Sequence, residues 1–525
     1  MEKKNYIVAV DLGSHAVVVA VAAKQEDGNL EIVSLVSKPI KGVTIGRIGN
    51  IELVSQALGE AIEEAGQQAG IRIVEAYAGI SGEFVRCARH TDFVYVSDYQ
   101  NGVVQSDVHS LFARMNNLQA PEDEQIMERI PQRYMIDDQH EVADPVGEFG
   151  QKLSATFNFI LCQKTPIQRL DMALKRVGVK KLGVIPNTLA TALAVLSADE
   201  KEDGVAVVNL GADVTDVTIC HRGIVRYIGS IPIGSSAIDR DIRSMGVQER
   251  FITQLKHRYG SAVAANVPEE KVIRVQGMPP RREARDILLR NLATVIEARA
   301  QDIVDLVRDE LRYSGYADNL GYGLVLTGGS ANLTDIDELF RRSLNMEVRV
   351  AVPDISLTEE SCAKVNDPQY ATVVGLLMQG AERSVNGVGY AELPPEKRVA
   401  EPVQPAKPTQ PTPPTPPRRE PVQPVKPEPK PVVEPSKPTE EPVKPQGGTT
   451  KEYVAPVVPI SEQTQPEEKP VQPVQPVQPA VLPVEDDGGD IDDTEWDDEP
   501  KKEPWWKRAL RQATKAFESP DDDVI

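Results

Sequence analysis

Apolar and polar positions alternate along the first 390 or so residues in two rhythms, and the strand rhythm is clearest at residues 205–234. There the sequence VAVVNLGADVTDVTICHRGIVRYIGSIPIG holds a buried run, a turn containing Gly211, an alternating run, a Gly-containing turn and a third run. Val- and Ile-rich runs of this length broken by Gly turns predict hairpin strands rather than a helix. The N-terminal YIVAVDLGSHAVVVAVA repeats the pattern, with Asp11 and Gly13 in the places of Asn209 and Gly211. One chain thus carries two copies of a strand, a carboxylate or amide, a Gly turn and a return strand.

The remaining pattern fills in two halves. Residues 30–40 and 73–79 read as strands, and 50–70 as a helix with Ile51, Val54, Leu58, Ile62 and Ala65 on one face. Residues 82–162 read as an inserted α+β module of about 80 residues, a usual size for a small domain, with alternating pieces around one helix at 107–117. Helices are expected at 165–178 and 188–197, the second apolar nearly all round and therefore buried. In the second half, 238–255 and 284–313 read as long helices, and 323–329 as a buried strand closed by a Gly-Gly turn. A helix then starts in SANLTDIDELF, with Asn332 or Thr334 as its cap. Residues 348–352 read as a strand and 370–379 as a closing helix.

Composition divides the chain again. Of its 42 prolines, 29 lie between Pro394 and Pro504. Residues 391–500 are mostly Pro, Val, Gln, Lys and Glu and include VQPVQPVQP, a composition that buries too little apolar surface to order itself. This reads as a disordered, polyproline-biased linker ending in the acidic run EDDGGDIDDTEWDDE. After it, KKEPWWKRALRQATKAF predicts an amphipathic helix. Trp506, Leu510, Ala513 and Phe517 fall on one face, with Trp505 at its start, while Lys507, Arg508, Arg511 and Lys515 occupy the other. Aromatics on one side and cations on the other suit a helix lying on anionic membrane lipid.

The net charge of −21 argues against nucleic-acid binding, which needs a basic surface. Four cysteines without paired spacing read as buried thiols in a reducing compartment. Asp11 interrupts the first apolar run, which argues against a signal peptide, and no run approaches the ~20 residues of a membrane span. The six histidines show no metal-ligand spacing. The chemistry therefore rests on the two Gly turns: facing each other, they would offer backbone N–H groups from both sides to one polyanion.

DLGSH at Asp11, NLGADVTD at Asn209 and LTGGSAN at Leu326, in that order, resemble the two phosphate motifs and the adenosine motif of the superfamily of actin, sugar kinases and DnaK-like chaperone ATPases. IPQRYMID at Ile130, DPVG at Asp144, GMPPR at Gly277, IEAR at Ile296, and the long linker with its terminal helix, narrow the resemblance to the FtsA family of bacterial actin-like cell-division proteins. That resemblance implies an α/β, actin-like (ribonuclease H-like) two-lobed ATPase fold with an inserted α+β subdomain. It places a first lobe at 1–83 and 164–202, interrupted by the family's own subdomain at 84–163. The second lobe would occupy 203–237 and 314–390, with a subdomain at 238–313 that receives the C-terminal peptide of FtsZ, the tubulin-like division GTPase. The linker follows at 391–500 and the membrane-targeting helix and tail at 501–525. Such proteins form filaments on the cytoplasmic face of the inner membrane at the division site, anchor the FtsZ ring and meet later division proteins.

The resemblance also assigns residues. ATP would contact Asp11, Gly13, Ser14 and His15 in the first turn, and Asn209, Gly211, Thr215 and Asp216 in the second. Gly234, Gly328, Gly329, Ser330 and Asn332 would complete its surroundings, with Asp11 reaching Mg2+ through water. Lys256 either stands near the ribose or is solvated on a polar helix face. Where the family has Asp-x-Gly-Gly-Gly-Thr, this chain has Asn209, Gly211, Ala212, Asp213 and Val214. Asn209 removes a carboxylate, and Asp213 adds charge beside the phosphates unless it points into solvent. At most a weak ATPase is expected. Arg281, Arg282 and Arg285 either form a solvated face or steer the FtsZ peptide. The second reading is a catalytic superfamily member, a sugar kinase or a DnaK-like chaperone. A kinase needs a carboxylate to activate a hydroxyl and a chaperone needs a peptide-binding β domain after the ATPase; neither pattern stands here.

Overall fold

The computed structural model describes residues 5–276, 284–384 and 387–392. In the first lobe, β1 (Tyr6–Leu12), β2 (Ala16–Lys24) and β3 (Leu30–Pro39) form an antiparallel meander, followed by a small hairpin of β4 (Val43–Thr44) and β5 (Arg47–Ile48). Helix α1 (Ile51–Ala69) begins at Asn50, whose side chain accepts the Leu53 amide. It stops at Gly70, whose φ of 69° ends the helix in the left-handed conformation that glycine allows. Strands β6 (Ile71–Ile73) and β7 (Glu75–Ile80) then lead into the inserted domain.

That domain comprises β8 (Val85–Tyr95), α2 (Gln105–Asn116), β9 (Glu124–Ile136), β10 (His140–Val142) and β11 (Lys152–Gln163), in sheet order β10-β9-β11-β8. The chain returns through α3 (Lys164–Arg176), β12 (Lys180–Pro186), α4 (Asn187–Val195) and α5 (Ala198–Asp203).

The second lobe repeats the first. Strands β13 (Val205–Leu210), β14 (Thr215–His221) and β15 (Ile224–Ile231) form its meander, and α6 (Ser235–Ser244) and α7 (Glu249–Tyr259) follow. Next come the hairpin strands β16 (Val272–Gln276) and β17 (Ala284–Leu288), α8 (Leu289–Ser314), β18 (Leu324–Thr327), α9 (Ile336–Leu344), β19 (Val348–Val350), α10 (Glu359–Lys364) and α11 (Ala371–Arg383). A last strand, β20 (Tyr390–Glu392), pairs with β6. The first sheet has order β3-β2-β1-β7-β12 and the second β15-β14-β13-β18-β19. In each the meander is antiparallel and the last two strands join in parallel, so the duplication visible in the hairpins extends to whole sheets.

Three expectations are corrected. The 238–255 pattern is two helices, α6 and α7, because Gly246 at φ 81° turns the chain between them. The 284–313 pattern is helical only from Leu289. ARDIL fits both periods, and its pairing with β16 makes it a strand. After LTGG the helix begins only at Ile336, behind a short 3-10 turn, with neither Asn332 nor Thr334 as its cap. Asp335 at φ 62° stands there instead.

Helices α4 and α11 cross closely on the first lobe's sheet. A Cβ at Gly375 would lie 1.8 Å from the Ala190 carbonyl oxygen, so only glycine permits the crossing. Gly375→Ala should cost about 3 kcal/mol through overpacking. Gly59→Ala in α1, where a Cβ meets nothing nearer than Val177 Cγ1 at 3.4 Å, should gain roughly 0.5–1 kcal/mol. Denaturant midpoints at unchanged slope check both.

Candidate nucleotide site

Both Gly turns close in the same way. The Gly13 amide donates to the Ala16 carbonyl and the Gly211 amide to the Val214 carbonyl, each at 3.0 Å. These two N–H groups therefore close their turns instead of pointing outward. The amides that follow, Ser14 and His15 in one turn and Ala212 and Asp213 in the other, have no intramolecular partner among the described residues. Ser14 is half-buried and His15 exposed.

Polar residues gather beyond the carboxyl ends of the parallel strands, where open α/β sheets bind ligands. Asp11, next to last in β1, accepts 3.1 Å from Nδ2 of Asn187, the first residue after β12. Asn209, near the end of β13, donates 3.2 Å to Thr372 Oγ1 of α11, which also meets Thr191 Oγ1 of α4 at 2.9 Å. Asp216 of β14 accepts from Ser81 Oγ, just past β7, at 2.7 Å, and from Ser230 Oγ at 2.6 Å. Two carboxyl groups thus sit on the cleft floor. Burial pushes Asp11 up to about 6, against the Asn187 hydrogen bond and with help from the Asp216 charge. Burial likewise pushes Asp216 up to about 6, although the Ser230 and Ser81 hydroxyls favour its charged form.

An unfolded aspartate titrates near 3.9. These two raised groups therefore stabilise the fold fully below about pH 4, and that contribution is lost as pH rises through about 6. In metal-free buffer, stability should rise by on the order of 2 kcal/mol from pH 7.5 to pH 5. The double change Asp11→Asn with Asp216→Asn should flatten that rise, read by denaturation midpoints across the range.

A pocket opens in the second lobe beside its turn. Of the expected residues, Gly211, Thr215, Gly234, Lys256 and Ser330 line it. Thr215 donates from its hydroxyl to the Ile233 carbonyl at 2.9 Å, and Ser330 to that of Gly211 at 3.0 Å. Gly234 precedes α6 so tightly that a Cβ would lie 2.4 Å from the Ala212 carbonyl oxygen. Gly328, at φ 86°, leaves no room for a Cβ against Asn209 Oδ1, 2.3 Å away. Gly329 has space beside Gln369, and Asn332 donates 2.9 Å to Asp367 at an exposed position. Lys256 is buried and ion-paired 2.8 Å from Asp239, so the solvated alternative does not hold for it. The opposite wall is apolar: Ala300 and Ile303 of α8, Leu333, Ile336 and Phe340.

Asp213 does not point into solvent. Its Oδ2 accepts, at 3.3 Å, the amide of Ile45 in the β4–β5 turn of the first lobe. Ile45 is held at φ 49°, a strained conformation for a β-branched residue.

Sequence reasoning missed Ser81, Asn187, Ser230, Asp239, Thr372 and the cavity residue His257, which burial and Lys256 shift down. Arg281 and Arg282 lie outside the described residues, and Arg285 stands in β17 opposite Val275. All the membrane-face residues, 505–517, also lie outside them. No described helix is long and apolar enough to cross a membrane.

Two lobes of one topology, each with its Gly turn at the head of the central hairpin, and a separate sheet domain spliced into the first, define an actin-like fold. The family model described as "Cell division protein FtsA" matches residues 206–375, and that of the "SHS2 domain inserted in FTSA" matches 82–161. The cell division protein FtsA of Pseudomonas aeruginosa is 33% identical over 414 residues, covering 76% of this chain and 97% of that protein. That of Escherichia coli K12 is 29% identical over 413 residues, covering 76% and 95%. Among solved structures, the PilM-PilN type IV pilus biogenesis complex aligns with a TM-score of 0.49 at 12% identity, over 71% of this chain and 98% of that one. The chain belongs to the FtsA family of cell-division proteins.

Proposed function

We propose that this chain binds ATP with Mg2+ in the cleft, polymerises on the inner face of the cytoplasmic membrane and tethers the FtsZ ring to it. The observation that carries the nucleotide reading is the matched pair of Gly turns on two equivalent sheets, one of them beside a cavity with a buried lysine at one wall and an apolar surface opposite. Adenine would lie against Ile303, Ile336 and Phe340, with Lys256 toward the ribose. The phosphates would lie near the open amides of residues 14–15 and 212–213. Mg2+ takes oxygen ligands and keeps much of its water, so one or two carboxylates suffice. Asp11 supplies one, and the buried Asn187 Oδ1 beside it has no hydrogen-bond partner, an acceptor open to a metal-bound water. The residues fit the ion. Bound Mg2+ would neutralise phosphate charge; the chain's own groups orient it.

Equilibrium titration of a fluorescent ATP analogue, with Gly328→Val as control, tests the nucleotide reading. The native chain should bind with Mg2+ present, and the variant, whose side chain collides with Asn209 and Leu210, should not. Equal binding would exclude this cleft.

The partner reading places the C-terminal FtsZ peptide on residues 238–313, steered by Arg281, Arg282 and Arg285. Replacing all three by Ala should weaken peptide binding roughly tenfold at low salt and less at high salt. An unchanged constant removes them from the interface. Filament contacts with further copies, and contacts with later division proteins, belong to the same reading.

A further inference from the structure

The inserted domain is joined covalently to the first lobe and ion-paired to it at the surface through Arg383 and Glu128, but its buried side-chain hydrogen bonds run to the second lobe. Arg226 of β15, only 7% exposed, donates through Nη1 to the Gln132 carbonyl of β9 at 2.9 Å, and through Nε to the His221 carbonyl at 3.0 Å. Gln132 returns a bond from Nε2 to the Val225 carbonyl at 3.0 Å, and Asn158 of β11 donates 2.8 Å to the Arg226 carbonyl. Gln132 and Asn158 are buried as well. Among the described residues Arg226 has no carboxylate at ion-pair distance. A buried guanidinium resting on carbonyl dipoles is a costly way merely to hold two surfaces together. What it adds is direction, since carbonyl bonds fix an angle that apolar contact leaves free.

Apolar contact is present beside it. Ile80, Ile167 and Leu189 of the first lobe, Phe84, Val85, Ile160 and Cys162 of the inserted domain, and Ile228 of the second lobe form one small cluster. Three bodies therefore meet at one point. Strand β15 links that point to the cleft: Ser230 binds Asp216 on the cleft floor, and Arg226 stands four residues away, roughly 13 Å along an extended strand. The entry to the inserted domain is wired to the same carboxylate, because Ser81 donates to Asp216 immediately before Gly82.

We propose that Arg226, Gln132 and Asn158 make the inserted domain follow the second lobe, so that nucleotide occupancy of the cleft sets the domain's angle on the first. This rests on the ATP reading above. Arg226 is here a positioning residue. Coupling of this kind needs a shared element biased by both sites, and β15 is that element.

Hydrogen exchange on the full chain, with and without ATP and Mg2+, tests it at residues 124–136 and 224–231, with nucleotide uptake measured on the same samples. In the native chain, nucleotide should slow exchange in both segments together, on the order of tenfold. In Arg226→Ala and in the milder Gln132→Ala, uptake and the response of 224–231 should persist, while the response of 124–136 is lost. A native 124–136 segment indifferent to bound nucleotide, or one that responds equally in both variants, overturns the proposal. If no nucleotide is taken up, the ATP reading fails and the ligand-free chain decides. Arg226→Ala must then raise exchange across 124–136 on the order of tenfold, the expected cost of losing bonds to a charged donor, and unchanged exchange overturns the clamp.

Discussion

A chain ending at Pro500 should remain in the supernatant when mixed with anionic vesicles, whereas the full chain should sediment with them. At about 100° per residue, Trp506, Leu510, Ala513 and Phe517 fall within about 60° of one another, and Lys507, Arg508, Arg511 and Lys515 lie on the other side. On this reading each cation near anionic lipid would contribute roughly 1 kcal/mol, and the aromatics would bury their rings at the interface. Pro504 suits the first helical position, where its missing N–H costs nothing. The apolar face is small, so one copy should bind weakly and filaments through avidity. Replacing Trp506 and Phe517 together by Glu should act like the truncation. Sedimentation of either variant as strongly as the native chain would move the anchor elsewhere.

ATP should be bound but turned over far more slowly than the several per second of ordinary enzymes. Asn209 donates an amide hydrogen to Thr372 where the related motif has a carboxylate, so no negative oxygen there orients water or metal. Asp213 is committed to the Ile45 amide across the cleft, so its carboxylate does not make up the loss. Asn209→Asp should raise phosphate release at least about tenfold. The Thr372 hydroxyl can turn to donate to the new carboxylate, so the change adds charge without removing the contact. A third acid beside Asp11 and Asp216 should also make the metal-free protein less stable above pH 6. Fast release by the native chain, or no gain in the variant, would place water activation on other groups.

The halves of this fold differ in how far the sequence foretold them. The two meanders were legible because Gly13 and Gly211 interrupt long Val- and Ile-rich runs, a signal carried by a few adjacent residues. Strand β12, KKLGVIP, was not read as a strand: it opens on two lysines, contains a glycine and closes on a proline, and only its parallel neighbour β7 makes it one. β17 hid inside a helical period for the same reason. At the site, the glycines announced themselves because close approach leaves no alternative residue. The Asp216 contacts and the burial of Lys256 did not, since they join residues 135 and 14 positions apart for Asp216 and 17 apart for Lys256 and Asp239. The departure at 212–213, puzzling as a phosphate loop, becomes intelligible once Asp213 is seen bonded to the first lobe.

The central claim, a membrane tether for the FtsZ ring, is tested most directly by vesicle sedimentation of FtsZ in the presence of this chain, ATP and Mg2+. FtsZ should enter the pellet with anionic vesicles only when the full chain is present, and should stay in solution with the chain ending at Pro500 or when FtsZ lacks its C-terminal peptide. FtsZ that remains in the supernatant with the full chain, or that pellets equally with the truncated one, would contradict it.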